Sequence, residues 1–333
     1  MKTTIIAEAG VNHNGDLDLA KKMIEIAAQA GADFVKFQTF TAEKLVTRTV
    51  PKAAYQRENI GKEETQFDML KKLELTEEMH RELIEYSKLC SIDLISTAFD
   101  ITDSNLLHSL GQRIFKVPSG EITNLPYLRH LGKIADEIIL STGMSTLSDV
   151  ENALNVLKNA GVKNKDITIL HCTSAYPAPF EEVNLLAMQK MKEVFKVKVG
   201  YSDHTQGIVV SLAAVALGAV VIEKHFTLDK NLPGPDHKAS LEPTELKELI
   251  LSIRTIESAL GSSTKEVTKS EFQNMDLIRK SIVARSSIMK GEIFTEENLT
   301  TKRPGIGISP MNWDLLIGTP SNRDYIENDL IEL

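Results

Sequence analysis

The sequence predicts an α/β protein, a (β/α)8 barrel followed by a small C-terminal domain. Eight short runs of β-branched or apolar residues recur up to residue 226, and amphipathic helical patterns separate most of them. The runs cover approximately Thr4–Ala9, Phe34–Thr39, Asp93–Ala98, Ile114–Ser119, Glu137–Thr142, Ile167–Thr173, Lys198–Asp203 and Val220–Phe226. Alternating strands and helices are typical of a parallel sheet, and eight units favour a closed barrel over an open doubly wound sheet.

The segments between these runs carry helical periodicity. In Leu17–Ala30 the apolar residues recur with the 3.6-residue period of a helix, and Ser148–Leu157, Ser211–Leu217 and Glu245–Leu260 show the same pattern. The connection Phe40–Glu77 is unusually long. Loops of this length in compact domains are usually functional lids or contain additional structure, so we expect a lid or extra structure in this connection.

The pattern changes after Leu260. Residues 261–280 begin with a polar, turn-rich stretch and are interpreted as a linker between a barrel domain over 1–260 and a small domain over 281–333. Because roughly 50 residues are marginal as an independent domain, we expect the small domain to pack against the barrel or another subunit.

Composition and charge argue against several function classes. The net charge is −8 and no basic run occurs, which argues against a nucleic-acid surface. The N-terminal apolar stretch is too short for a signal peptide and no 18-residue apolar run exists, so neither secretion nor a membrane span is expected. Two cysteines, Cys90 and Cys172, are too few for a disulfide framework, which favours a cytoplasmic location.

Two lysines lie near predicted strand ends, where barrel enzymes place their active sites. Hydroxyl side chains lie at the ends of other predicted strands: Ser119, Ser141 and Ser202. Because a buried lysine is costly without an anion beside it, Lys36 and Lys116 with these hydroxyls suit a ligand carrying a phosphate and a carboxylate. The alternative is that each lysine pairs with a nearby carboxylate, Glu8 or Glu121.

Two histidines, His204 and His225, end the last two predicted strands. If these strands are parallel neighbours, both imidazoles reach the same rim and can share one metal ion. Two imidazoles with open positions suit Mn²⁺, Co²⁺, Fe²⁺ or Zn²⁺, or Mg²⁺ with more waters, and incomplete protein ligation is typical of a catalytic site. The alternative for each is a hydrogen-bonded core histidine.

Short motifs along almost the whole chain, in order, resemble the sialic acid (nonulosonate) synthase family. In the barrel they are Ala7–Gly15, Val35–Thr39, Lys116–Glu121, Ser141–Met144, His171–Thr173, Tyr176–Pro177, Ser202–Thr205, Glu223–Thr227 and Gly234–Asp236. Near the C-terminus, Lys302–Gly305 with Gly307 is similar to the antifreeze-like (SAF) domain of that family.

This resemblance implies a fold and a reaction. Such enzymes are (β/α)8 barrels with a SAF domain, and they condense phosphoenolpyruvate with an N-acylated mannosamine-type sugar and release phosphate. The main prediction is N-acetylmannosamine as substrate and N-acetylneuraminate as product. The alternative is 2,4-diacetamido-2,4,6-trideoxymannose, which gives N,N'-diacetyllegionaminate, and the opening motif Ala7–Gly15 favours it slightly.

The same resemblance assigns roles to individual residues. Phosphoenolpyruvate would contact Lys36, Lys116, Ser119, Ser141, Ser174 and Ser202. The sugar would contact Gln38, Tyr176, Asp236 and Arg303. His204 and His225 would hold the divalent metal, Mn²⁺ first with Mg²⁺ or Co²⁺ as alternatives, and Glu8 would do acid–base or orienting work beside it.

Arg303 also carries an implication about assembly. In the family this arginine comes from the SAF domain of the other subunit and reaches the acyl group of the sugar, so a domain-swapped homodimer is implied.

Two other function classes stay open. A metal aldolase using free pyruvate predicts no phosphate release, and a non-enzymatic ice- or carbohydrate-binding protein predicts that Lys116→Ala leaves function intact.

Overall fold

The computed structural model describes residues 2–61 and 64–332, which divide into two compact units. The first lies within 1–261 and the second within 262–333. Both cysteines are free thiols. Among the described residues, no helix combines the length and the apolar character that crossing a membrane requires.

The first unit is built around eight parallel strands. They are β1 (Thr4–Gly10), β2 (Phe34–Thr39), β3 (Asp93–Ala98), β4 (Ile114–Val117), β5 (Glu137–Ser141), β6 (Ile167–Cys172), β7 (Lys198–Asp203) and β8 (Val221–His225). The hydrogen-bonded order is β3-β2-β1-β8-β7-β6-β5-β4, and β3 also lies against β4. The sheet is a nearly closed barrel, so the predicted fold class is confirmed.

Helices follow the strands, and several of them begin at a residue whose side chain caps the first turn. The helices are α1 (Leu17–Ala30), α2 (Ala42–Leu45), α3 (Ala54–Ile60), α4 (Gln66–Lys71), α5 (Glu77–Leu89), α6 (Ile101–Ser109), α7 (Leu125–Ile134), α8 (Leu147–Asn159), α9 (Leu186–Phe195), α10 (Val209–Ala216) and α11 (Pro243–Leu260). The Asp16 carboxylate accepts from the first free N–H groups of α1, and Gly31 ends that helix at a φ of 89°. The predicted run Ile114–Ser119 ends early as a strand, at Val117, because Pro118 has no N–H for the ladder.

Alternate side chains along the strands belong to two apolar clusters, and polar side chains follow at the C-terminal end of the barrel. Val35 and Phe37 belong to the large core between strands and helices. A smaller cluster of alternate residues contains Ile6, Ile95, Ile139, Leu170 and Val221. Glu8, Ser141 and Glu223 each lie two residues after a member of this cluster, so they share its face at the C-terminal end of the strands.

The long connection after β2 forms three short helices, α2, α3 and α4. Its apolar residues make a separate buried cluster with the end of β1, formed by Val11, Phe40, Ala42, Met69, Leu70 and Leu73. The expectation of additional structure in this connection therefore agrees with the fold.

The second unit has its own small core. It contains α12 (Lys269–Ile278), the antiparallel pair β9 (Ser281–Ala284) and β10 (Leu299–Lys302), and α13 (Trp313–Leu316). Its buried residues include Ile282, Phe294, Leu299 and Tyr325. Residues 261–280 were interpreted as a linker, but α12 lies inside this segment. This helix starts at a Thr268–Glu271 capping box and buries no residue within its unit, since Phe272, Leu277 and Ile278 on it are exposed.

Candidate active site

A cavity of about 290 Å³ opens at the C-terminal ends of the strands. Twelve of the thirteen predicted site residues line it: Glu8, Lys36, Gln38, Lys116, Ser119, Ser141, Ser174, Tyr176, Ser202, His204, His225 and Asp236. The remaining one, Arg303, belongs to the second unit, where it is exposed and its Nε donates to the Ile278 carbonyl at 2.9 Å.

Two lysines and two glutamates form a buried charge cluster in this cavity. Lys36 Nζ lies 2.8 Å from Glu8 Oε2 and 3.6 Å from Glu223 Oε2. Lys116 Nζ lies 3.2 Å from Glu223 Oε1, which also accepts from Ser202 Oγ at 2.9 Å. The alternative that each lysine pairs with a nearby carboxylate is therefore seen for Lys36, which pairs with Glu8. Lys116 instead pairs with Glu223.

The two carboxylates of this cluster differ in acidity. Burial raises the pKa of Glu8; Lys36 opposes the shift and the Glu223 charge adds to it. Burial would also raise the pKa of Glu223, but Lys116 and Lys36 hold it well below its usual range. Carboxyl groups whose pKa values are driven apart suit different roles: Glu223 stays an anion, whereas Glu8 can carry and exchange a proton.

Serine hydroxyls form a concave polar surface beside the lysines. Ser119 Oγ accepts from the Gly143 N–H at 3.0 Å. A Cβ on Gly143 would lie 2.2 Å from Ser174 Oγ and 2.8 Å from Ser119 Oγ, so a larger residue there would displace these hydroxyls. Ser141 Oγ is buried and has no partner among the described residues. A free buried hydroxyl in a cavity that Lys36 and Lys116 also line is a suitable environment for an oxyanion.

The two histidines lie side by side, with ring centroids 5.5 Å apart. His204 Nδ1 lies 2.7 Å from the Thr173 carbonyl, which only accepts, so this nitrogen carries a proton and Nε2 is the nitrogen left to bind a ligand. Burial, with the His204 and Lys36 charges, holds the pKa of His225 well below its usual range. His225 is therefore neutral at pH 7.

Burial alone would lower the pKa of His204, but the charge and hydrogen bond of Cys172 and the hydrogen bond to the Thr173 carbonyl raise that pKa overall. Cys172 Sγ lies 3.7 Å from His204 Nδ1 and lines the cavity.

This arrangement fits a divalent cation held by two imidazoles. His225 Nδ1 is buried without a partner among the described residues, which is unfavourable unless something binds nearby. A carbonyl that fixes the tautomer of the other ring is usual behind a ligating histidine. In the described ranges, no group of three or more His, Cys, Asp or Glu side chains is placed to hold a metal.

The backbone around the histidines is fixed from both sides. Glu8 and His225 are opposite each other in the β1–β8 ladder. Behind β7 and β8, Lys224 Nζ lies 2.9 Å from Asp203 Oδ2 and donates to the Thr205 carbonyl at 2.6 Å. These groups are buried, so they hold the turn that carries His204.

The predicted sugar contacts line the same cavity. Gln38 Nε2 donates to Glu8 Oε1 at 3.3 Å. The Tyr176 ring lies 4.1 Å from the His204 ring and meets the His225 ring edge-on at 5.7 Å. Asp236 is buried with Oδ1 unpartnered among the described residues, and burial together with the Glu8 charge raises its pKa to about 6.

Sequence reasoning gave no role to several residues of the cavity. Glu223 was recognisable as a polar strand end on the face of His225, but its pairing with two lysines has no local signal. Tyr55, Gln56 and Leu73 come from the long connection after β2 and also line the cavity. The length of that connection was the only signal for them.

Family models match almost the whole chain. The NeuB family matches residues 23–265 and the SAF domain matches residues 279–332. The chain is 58% identical over 330 residues to the N,N'-diacetyllegionaminic acid synthase of Campylobacter jejuni, covering 99% of each. It is 49% identical to the synthase of the same name from Legionella pneumophila, covering 96% of this chain and 90% of the relative.

A solved structure supports the same relationship. The crystal structure of N-acetylneuraminic acid (sialic acid) synthetase from Leptospira borgpetersenii superposes with a TM-score of 0.73 at 35% identity. The match covers 82% of this chain and 90% of that chain. The predicted family is thereby confirmed: the chain belongs to the NeuB family of nonulosonate synthases and ends in a SAF domain.

Proposed function

We propose that this enzyme condenses phosphoenolpyruvate with 2,4-diacetamido-2,4,6-trideoxymannose to give N,N'-diacetyllegionaminate and phosphate. The observation that carries this choice of sugar is the 58% identity, over 99% of both chains, to a synthase named for that product. The main prediction from the sequence, N-acetylmannosamine, becomes the second candidate. It is favoured by the 35% identity to the sialic acid synthetase.

Phosphoenolpyruvate is proposed to bind between Lys36 and Lys116, with the serine hydroxyls Ser119, Ser141, Ser174 and Ser202 on its oxygens. Two ammonium groups with one firmly anionic carboxylate, Glu223, leave a positive environment once Glu8 is protonated. Charge-assisted hydrogen bonds in a buried site are strong, so this surface suits a small trianion.

A divalent metal, Mn²⁺ first with Mg²⁺ or Co²⁺ as alternatives, is proposed at His204 and His225. When bound, such an ion supplies Lewis-acid polarisation of the sugar aldehyde. The Thr173 carbonyl and the Lys224–Asp203 pair hold His204 for this task.

Glu8 is proposed to handle protons. The new bond joins C3 of phosphoenolpyruvate to the aldehyde carbon of the open-chain sugar, water adds to C2, and phosphate leaves with the bridging oxygen. Protonated Glu8 can donate to the aldehyde oxygen as it becomes a hydroxyl. The resulting carboxylate can accept the proton of the attacking water. Gln38, at 3.3 Å, orients the Glu8 carboxyl group.

Gln38, Tyr176 and Asp236 are proposed to contact the sugar, with Arg303 of a second subunit at an acyl group. Arg303 is exposed in its own unit, which leaves its guanidinium available for such a contact. A domain-swapped homodimer is therefore part of the proposal.

The test is phosphate release from phosphoenolpyruvate with Mn²⁺ and each sugar, repeated with EDTA. We expect EDTA-sensitive release that is faster with the diacetamido sugar. Faster release with N-acetylmannosamine would favour the second candidate. Carbon–carbon bond formation from free pyruvate without phosphate release would replace the reaction with that of an aldolase.

A further inference from the structure

Helix α3 adds a polar and aromatic wall to the cavity. Tyr55 and Gln56 both line the cavity, and Gln56 is only 7% exposed. The Tyr55 ring lies 5.1 Å from the Tyr176 ring, which in turn covers His204. The aromatic row therefore leads from the histidines to Gln56.

The Gln56 amide is held with its donor group available. Gln56 Oε1 accepts from the Ala53 N–H at the start of α3, at 2.9 Å. Gln56 Nε2 donates to Tyr55 Oη at 3.3 Å, which uses one of its two N–H groups. Burial raises the pKa of Tyr55, so its phenol keeps a proton to donate. Two neighbouring donors therefore remain for an uncharged acceptor such as a carbonyl oxygen.

An apolar surface from α4 and its C-terminal turn lines the same cavity. Met69, Leu70 and Leu73 are each buried and belong to the cluster that the long connection forms with the end of β1. Donors and an apolar wall together complement an acetamido group, because its oxygen accepts hydrogen bonds and its methyl group prefers apolar contact.

This wall is fixed to the rest of the cavity. Asn59 Nδ2 donates to the Pro235 carbonyl at 2.6 Å, so α3 is bonded to the loop that carries Asp236. A wall held at this point is preorganised, which lowers the entropy cost of binding.

We propose that Tyr55, Gln56 and the wall of Met69, Leu70 and Leu73 form an acyl-amino subsite, which binds a different acetamido group of the sugar from the one assigned to Arg303. This inference rests on the proposed function. A sugar with two acetamido groups fills both positions. N-acetylmannosamine has only one and leaves these donors without an acyl oxygen to bind, which is how a polar pocket rejects an analogue.

The test compares kcat/KM for the two sugars in three variants, with phosphate release as the assay. Gln56→Leu should lower the ratio of kcat/KM for the diacetamido sugar to that for N-acetylmannosamine by at least about tenfold. Tyr55→Phe should lower it by about threefold or more. Arg57→Ala, an exposed neighbour on α3, is the matched control and should leave the ratio unchanged.

Equal losses with both sugars, or a rise only in the KM for phosphoenolpyruvate, would overturn the subsite. Thermal unfolding checks each variant, and if Gln56→Leu is unfolded, the ratio for Tyr55→Phe decides. If the wild-type enzyme turns over neither sugar, the proposed function fails separately. Calorimetric binding of the diacetamido sugar with Mn²⁺ then decides: weaker binding by Gln56→Leu than by Arg57→Ala supports the subsite, and equal binding contradicts it.

Discussion

Lys116 and Glu223 lie on β4 and β8, which are not neighbours in the sheet, yet Lys116 Nζ is 3.2 Å from Glu223 Oε1. The contact crosses the end of the barrel. Glu223 also lies 3.6 Å from Lys36, so one carboxylate bridges the two lysines and helps to hold both in place. The two lysines can then both contact a phosphorylated carboxylic acid.

Lys116→Ala should weaken phosphoenolpyruvate binding because it removes one of the two cations. We expect the KM for phosphoenolpyruvate to rise at least about tenfold, while the KM for the sugar changes by less than about threefold. Steady-state kinetics with each substrate varied measure this. Lys133→Ala, at an exposed site on α7, is the control. An unchanged KM for phosphoenolpyruvate would remove Lys116 from the binding site.

His225→Ala should abolish turnover and leave the fold intact, because the ring is at the end of its strand and outside the main core. The expected loss is at least about 10³-fold in kcat, with Tm within about 5 °C of the wild-type value. Calorimetry should show loss of Mn²⁺ binding. His130→Ala, on α7, is the control. Turnover near the wild-type rate by this variant, or by metal-stripped protein, contradicts the assignment.

Mixing two variants tests domain swapping. Arg303→Ala should raise the KM for the sugar, and His225→Ala should abolish turnover. Each variant alone should therefore have low activity at a low sugar concentration. In a swapped hybrid dimer, one site receives an intact Arg303 and has an intact His225. Co-refolding equal amounts should therefore restore roughly a quarter of wild-type activity. No recovery, when hybrids are shown to form, would mean that Arg303 acts within its own chain or not at all.

Asp103→Asn should stabilise the protein at neutral pH. Asp103 is buried, and burial together with the Asp100 charge raises its pKa to about 6 from 3.8. Because the folded state holds the proton more tightly, this group contributes stability below about pH 4 that is lost as pH rises through 6.

The variant should therefore be about 1–2 kcal/mol more stable than wild type at pH 7, and the difference should vanish below pH 4. Urea unfolding at both pH values measures it. A gain of equal size at the two pH values would show that ionisation of Asp103 is not the cause.

The barrel and most of the cavity could be predicted because strand alternation is local. Ile6 and Glu8, or Val221 and Glu223, lie two residues apart, so an apolar interior and a polar rim are both visible in the sequence. The ends of the strands then bring distant residues together, since parallel strands end at one edge.

The rest depends on contacts that have no local pattern. Glu121 was the nearby carboxylate expected for Lys116, but its Oε2 accepts from Asn124 at 2.6 Å and Glu223 takes its place across the barrel. Helices α2, α3 and α4 are too short for a 3.6-residue period to appear, so the position of Gln56 could not be predicted.

A competition experiment between the two sugars tests the proposed reaction and its substrate. The enzyme is incubated with Mn²⁺, limiting phosphoenolpyruvate and equal concentrations of both sugars, and the products are identified by mass spectrometry. We expect N,N'-diacetyllegionaminate as the main product, with one phosphate released for each molecule formed. N-acetylneuraminate as the main product, or product without phosphate release, would contradict it.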